Sequence, residues 1–375
     1  VPTAPTLRER ALAPDLARGL MLALIALAHS QLLTGRVLAP LPGTASVVDT
    51  AAQAALTLLV DSRAYPMFAA LFGYGLVQIL RTREDRLGPD GARRVLRRRG
   101  WWLVAFGVAH TVLLFTGDIL ASYGLLALLL AGMLRATGRR LLILATIAAT
   151  MGALTYGTVL ALPDPTGGAE LPTDPLASAL LRLTVLPVLT PLNALMAAGP
   201  FLIGIWAARR RLLEDPAAHH LLLRRTAVTG IALGLLGALP QAARTTGFWA
   251  PDTVAAVAAG TLHTLTGYAG GLGYAAAIGL LAAHLAGRRR TAVTGALVAC
   301  GRRSMSCYLA QSVAWLLLFE PYLFDLGGTV GPAGAAAIGL GVWGITVGVA
   351  ALAARADRPG PAEALLRRLV EPAAR

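Results

Sequence analysis

Six side chains in this sequence are of the kinds that proton transfer and charge stabilisation require, and all six lie in or beside apolar runs. His29 and His110 are imidazoles able to exchange a proton near neutrality. Asp118 and Asp61 are carboxylates that can orient an imidazole. Tyr123 and Arg63 are donors suited to a developing oxyanion. Three of the six share one stretch, GVAHTVLLFTGDILASYG from Gly107 to Gly124, which reads as two helices joined by a short turn. At about 1.5 Å per residue, His29 lies about 6 Å, His110 about 9 Å and Tyr123 about 8 Å below the same helix ends. Asp118, Asp61 and Arg63 lie just above them. Ionisable groups at such a depth in a membrane are expensive and mark candidate sites.

Each residue also has a purely structural reading, and both stay open at this stage. Asp118 follows Gly117 at the head of an apolar helix, where a carboxylate caps free amides. A histidine in a membrane helix commonly bonds across to a neighbour. Arg63 can extend its head toward water. His263, with Thr261, Thr264 and Thr266, lines a polar path or bonds between helices. Asp15 and Arg18, spaced i,i+3, are expected to form a local ion pair.

These residues require a membrane-embedded frame. Of the 375 residues, 56% are hydrophobic and 14% charged, and the mean hydropathy is +0.65. A soluble domain carries about a quarter charged residues. The pattern predicts an all-α, polytopic transmembrane bundle of about ten spans. They run from Leu16 to Leu33, Ala64 to Leu80, Trp101 to Thr116, Ile119 to Leu134 and Leu141 to Leu162, then Thr190 to Ala208, Leu222 to Leu239, Thr253 to Leu285, Ser304 to Phe319 and Ala333 to Ala354. Val48 to Val60 and Leu176 to Leu186 are predicted as interfacial helices, and Arg81 to Arg99 as a basic loop. Pro163 to Pro175 is an acidic loop rich in Pro and Gly. GYAGGLGY, Gly267 to Tyr274, marks a helix break or a close crossing. The chain forms a single membrane domain, residues 1–375, with five spans in 16–162, five in 176–354 and a basic tail at 355–375.

Charge sets the expected orientation. All 33 basic residues are arginine, a bias consistent with a GC-rich bacterial genome. Eight lie between Arg81 and Arg99, whereas the alternate connections hold only Arg36, Arg182 and Arg244. The positive-inside rule then puts both termini in the cytoplasm and the chain, as a multi-pass protein, in the bacterial cytoplasmic (inner) membrane. The net charge of +14 does not imply nucleic acid, because the arginines cluster at the ends of apolar runs. The first apolar run lacks a cleavage pattern and is taken as a retained helix. Cys300 and Cys307 read as small buried residues, and no metal is expected. There is no P-loop, GxSxG, HExxH or CxxC.

The hairpin resembles that of the YeiB-like bacterial membrane family, which carries domain of unknown function 418. The matching residues are Gly107, His110, Gly117, Asp118, Ile119, Leu120 and Tyr123. Four further stretches resemble the family's pattern: Asp15-x-x-Arg18-Gly19, Phe68 to Arg81, GRRSMSCYLAQS (Gly301 to Ser312) and the tail GPAEALLRRL (Gly360 to Leu369). Cys307 stands where the family often has Asn, and the tail lacks its tryptophans. The family is in turn distantly similar to membrane acyltransferases, including sugar O-acyltransferases and the lysosomal heparan N-acetyltransferase. In the sugar enzymes an Arg is followed eleven residues later by a catalytic His, the spacing of Arg18 and His29.

This resemblance implies transfer of an acyl group, in the first instance acetyl, from cytoplasmic acyl-CoA to a hydroxyl or amine acceptor. His29 would be the general base. Arg18, Arg302 and Arg303, then Arg97, Arg98 and Arg99, would meet the donor's phosphates, and His263, Tyr308 and Gln311 would line the substrate path. The implied partners are the lipid bilayer and a small-molecule, sugar or lipid acceptor; a homo-oligomer is compatible with the sequence. The alternative is a transporter that uses the same His/Asp/Tyr cluster as a proton or substrate site.

Overall fold

A computed structural model describes residues 12–33, 41–162, 172–286, 288 and 291–371. The described residues are helical and contain no β-strand. The helices are α1 (Leu12–Leu33), α2 (Val47–Leu59), α3 (Ala64–Leu113), α4 (Leu120–Leu129), α5 (Gly138–Ala161), α6 (Pro175–Arg209), α7 (His220–Gly237), α8 (Leu239–Thr245), α9 (Thr253–Leu285), α10 (Ala292–Arg302), α11 (Ser304–Phe319), α12 (Pro332–Arg355) and α13 (Pro361–Val370). Among them are seven stretches long and apolar enough to cross a membrane, one of which, Val47–Leu113, has 67 residues. Most of the acidic loop and of the polar turn after α1 lies outside the described residues.

The long stretch folds back on itself. Gly88 takes a φ of 67° that breaks α3 into arms 64–87 and 89–113. Arg18 lies near both arms. Its guanidinium lies beside Gly75 on the first arm, and its charge acts on Arg99 on the second. A straight helix would put residues 75 and 99 about 36 Å apart. The basic segment expected as a loop is therefore helical, with its apex at Gly88. A loop there would leave its amides to water, whereas the two arms satisfy them internally.

Two other expectations change, and one open alternative closes. α6 is one helix of 35 residues, so the interfacial piece at 176–186 and the span that follows are continuous, with Pro187, Pro191 and Pro200 inside. The fourth crossing is short: α4 has ten residues and passes into a 3₁₀ turn at Ala131–Arg135. GYAGGLGY is a crossing and not a break, for α9 runs unbroken through it. A Cβ at Gly267 would stand 2.5 Å from the Ser62 carbonyl oxygen, and one at Gly271 2.7 Å from that of Arg63.

The C-terminal helix is stitched to the bundle. Glu363 accepts hydrogen bonds from the Met305 and Ser306 N–H groups at 2.7 and 3.2 Å and binds the Ser306 hydroxyl, which in turn accepts from Ala362 N–H at 3.0 Å. The tail thus supplies the N-terminal cap that α11 lacks in its own sequence, and it holds the GRRSMSCYLAQS segment in place. Glu363→Ala should cost about 1–2 kcal/mol. It should also speed proteolytic release of 361–375 in detergent, with Glu363→Gln retaining most of the protection.

Candidate functional site

The site begins at the turn between α3 and α4. The His110 carbonyl accepts from both Leu114 and Phe115 N–H, which closes α3. Asp118 then does two things. Its Oδ2 accepts from Ala121 N–H at 2.6 Å, capping α4. Its Oδ1 lies 2.9 Å from His110 Nδ1, in contact but not aligned as a hydrogen bond. Both side chains are almost wholly enclosed. Gly107, one turn before His110, makes this possible: a Cβ there would stand 2.0 Å from Ala121 N and 2.5 Å from Asp118 Oδ2. Only a hydrogen at that position lets the two arms meet.

Two more helices close over the pair. α1 contributes His29, whose ring centroid is 4.5 Å from that of Phe115 and 5.9 Å from that of Tyr308. α11 contributes Tyr308, whose ring is also 5.1 Å from His110. Tyr308 is therefore the surface shared by both imidazoles. Gln311, one turn along α11, donates to Thr346 Oγ1 at 3.4 Å. His29 Nδ1, both ring nitrogens of His110, Asp118 Oδ1 and Gln311 Oε1 are buried without an aligned partner. A buried polar atom left unpaired costs about 1–3 kcal/mol. His110 Nδ1 and Asp118 Oδ1 face each other, but His29 Nδ1, His110 Nε2 and Gln311 Oε1 face no protein partner among the described residues, which is what a site for water or a polar substrate requires.

Asp61 and Arg63 do not join this group. Asp61 Oδ2 pairs with His263 Nε2 at 3.1 Å, and the Asp61 side chain keeps 19% exposure. Arg63 is 1% exposed. It donates to the carbonyls of Thr57 (3.1 Å), Asp61 and Gly234. Its guanidinium is committed to backbone and is not turned toward solvent, because α9 crosses directly over the turn at 60–63 and shuts it in. Tyr65, Tyr156 and Tyr268 pack edge to face beside it, with centroids about 6 Å apart. Tyr123 stands between the two groups. Its ring stacks on Phe68, and its hydroxyl donates to the Tyr65 carbonyl at 3.2 Å. The expected single constellation is thus two imidazole–carboxylate pairs.

At the arginine-rich end, Asp15 holds Arg18 at 3.0 Å, the pairing expected from the spacing, and also Arg302 at 3.2 Å. Arg303 donates to the carbonyls of Arg358 and Ala299 and so serves the tail connection. Arg99 is enclosed near Arg18 and Glu363, with its Nε unpartnered. Arg97 and Arg98 are exposed. Cys300 and Cys307 are both buried free thiols. Among the described residues no group of three or more His, Cys, Asp or Glu side chains could hold a metal ion.

Sequence reasoning had Tyr308 on a substrate path but missed that it sits between the histidines; Phe115 it did not single out. It also missed the partnership of Asp61 with His263, which bridges 202 positions, and the capping role of Glu363. Of these, only Glu363 left a local trace, in the Gly-Pro-x-Glu of the tail. Gly107→Ala should destabilise the chain by about 1–3 kcal/mol, the usual cost of overpacking. Gly341→Ala, where a Cβ meets nothing within 4 Å, should leave the unfolding midpoint in detergent unchanged.

Residues 207–372 match a family model described as Protein of unknown function (DUF418). Uncharacterized protein YxaH of Bacillus subtilis (strain 168) is similar at 27% identity over 354 residues, covering 86% of this chain and 82% of that one. No solved structure matches. Residues 207–372 are thus similar to the DUF418 family.

Proposed function

We propose that this chain is an integral-membrane acyltransferase of the bacterial inner membrane, taking an acyl group, in the simplest case acetyl, from cytoplasmic acyl-CoA. The observation that carries the reading is the enclosed His110–Asp118 pair sharing Tyr308 with a second imidazole, His29. Acyl transfer to a weakly acidic hydroxyl or amine needs a base, fixed charge for the cation that base becomes, and exclusion of water from the thioester. His29 Nδ1, free of any protein partner, takes the acceptor's proton. The acceptor's oxygen or nitrogen attacks the thioester carbonyl, the carbon–sulfur bond breaks, and the CoA thiolate leaves and recovers the proton. His110 supplies a donor, and Asp118 beside it supplies the compensating negative charge. Tyr123 is occupied with the Tyr65 carbonyl and holds α4 against α3. Arg18, Arg302 and Arg99 form the entrance for the donor's phosphates: Asp15 holds the first two, and Arg99 lies near Arg18 and Glu363.

The second reading, a proton-coupled transporter, is favoured by one specific feature. Asp61 and His263 form a separate pair that is partly open at the arginine-poor end. The two readings separate in the purified protein in lipid nanodiscs, supplied with acetyl-CoA and an envelope extract as the source of acceptor. His29→Ala should slow release of CoA thiol by at least about a hundredfold, with the thermal unfolding midpoint preserved. Full activity in His29→Ala alongside loss in His110→Ala would move the base to His110. Wild-type protein that neither binds nor consumes acetyl-CoA, yet drives proton-coupled uptake in vesicles, would sink the enzyme reading.

A further inference from the structure

Around His29 and His110 the protein presents more hydrogen-bond acceptors than donors. His110 Nδ1 faces Asp118 Oδ1 at 2.9 Å. The carboxylate draws the imidazole proton to Nδ1 and leaves a lone pair on Nε2, which is buried and unpartnered. Gln311 is oriented by a chain of bonds. Thr346 gives its hydroxyl proton to the Trp343 carbonyl at 2.8 Å, so its Oγ1 can only accept, and Gln311 Nε2 donates to it at 3.4 Å. Gln311 Oε1 is thereby left as a second buried acceptor without a partner, and His29 Nδ1 is the third. The nearby hydroxyls do not answer them. Ser30, Ser312 and Tyr123 give their protons to the carbonyls of Leu27 (2.9 Å), Tyr308 (3.2 Å) and Tyr65 (3.2 Å). Tyr308 Oη keeps a free proton, and Trp315 Nε1, also unpartnered, lies one turn past Gln311 against Phe319.

The group also lacks a fixed cation. Asp118 is enclosed, and among the described residues it pairs with His110 and with no arginine. A buried carboxylate in that position favours a positively charged guest. A metal ion does not fit, since among the described residues no three His, Cys, Asp or Glu side chains could hold one. An alcohol brings one O–H and no charge. A polyol adds hydroxyls but no charge, and each brings lone pairs of its own. An alkylammonium brings one positive charge and three N–H groups, one for each of the three acceptors.

We propose, resting on the acyltransferase reading, that the acceptor at this site is a primary amine bound as its ammonium, and that the product is an amide. An ammonium must lose two protons to become an amide nitrogen, and the group holds two imidazoles with a free nitrogen. His110 Nε2 takes the first proton, and Asp118 holds the resulting imidazolium. The freed amine attacks the thioester carbonyl and gives its second proton to His29 Nδ1. The carbon–sulfur bond breaks, and the leaving thiolate takes the proton from His29. The proton on His110 is released to the medium. Ammonium and thioester thus become amide, CoA thiol and one proton. The third N–H stays on nitrogen throughout, and Gln311 Oε1 accepts it.

Binding is tested on the full chain in detergent by thermal unfolding near neutral pH, where an alkylamine is protonated. Butylamine should raise the midpoint by several degrees. Neither 1-butanol nor butyltrimethylammonium, which carries the charge without an N–H, should match it. Asp118→Asn should lose the rise, and Asp90→Asn, a remote exposed carboxylate, should keep it. Should Asp118→Asn fail to fold, Gln311→Leu, which removes one acceptor and leaves the carboxylate, should lose at least half of it. No rise with butylamine, an equal rise with either analogue, or an equal loss in Asp90→Asn would each overturn the proposal. The product gives a second measurement. Radiolabelled acetyl transferred from acetyl-CoA to an envelope extract should withstand alkaline hydroxylamine, which cleaves esters and spares amides. Label released by hydroxylamine would refute the amine and leave acyl transfer standing. If no label is transferred, the acyltransferase reading fails, and the butylamine comparison alone decides the ammonium site.

Discussion

A carboxylate enclosed at the apolar end of a helix bundle must find its stabilisation within the protein, and the arrangement at that end follows from how Asp118 does so. One oxygen takes the free amide of Ala121 and the other faces the His110 imidazole. Water would otherwise hold that charge at no cost, whereas removing it to a low-dielectric interior costs several kcal/mol. The hairpin must therefore be tight enough for both contacts, which is why residue 107 has no side chain. Once the hairpin is closed, His29 and Tyr308 can pack over it and seal it. The same enclosure that makes the carboxylate expensive makes any proton moved there strongly coupled to its neighbours.

The two polar groups of the arginine-poor end differ in how they are buried, and the difference bears on what each can do. His110–Asp118 is sealed on all sides by rings and helix backbone. Asp61–His263 is sealed on the His side alone and keeps part of the carboxylate open. A closed pair suits chemistry that water would spoil, and a half-open one suits exchange with the medium. Tyr123 and Tyr65 link the two through a single hydroxyl-to-carbonyl bond. That link is structural, since the carbonyl has no proton to pass on.

Helix existence and the depth of polar groups were legible in the sequence because both depend on local spacing. Nearly all the apolar runs reappear as helices, and Asp118 caps α4 where its position after Gly117 put it. Partnership was not legible wherever it depended on packing. His29 shares a depth with His110, and Asp61 and Arg63 lie just above, yet only rotation about each helix axis decides which of them face it. Asp61 instead faces His263, and Arg63 turns inward because glycines 267 and 271 let α9 close over its turn. The basic segment before Trp101 was misread for a related reason. Charge density marks exposure to water, and it says nothing about whether the exposed chain is helical.

The arginine-rich end solves the converse problem, too many cations instead of one buried anion. Asp15 answers two of them, and backbone carbonyls answer Arg303. Glu363, the acidic group near Arg99, is already spent on the amides at the head of α11. The helix that carries Tyr308 toward the histidines is thus anchored at its other end by the tail, amid an excess of positive charge. An anion arriving at Arg18 and Arg99 enters the field of the same carboxylate that holds α11 in register.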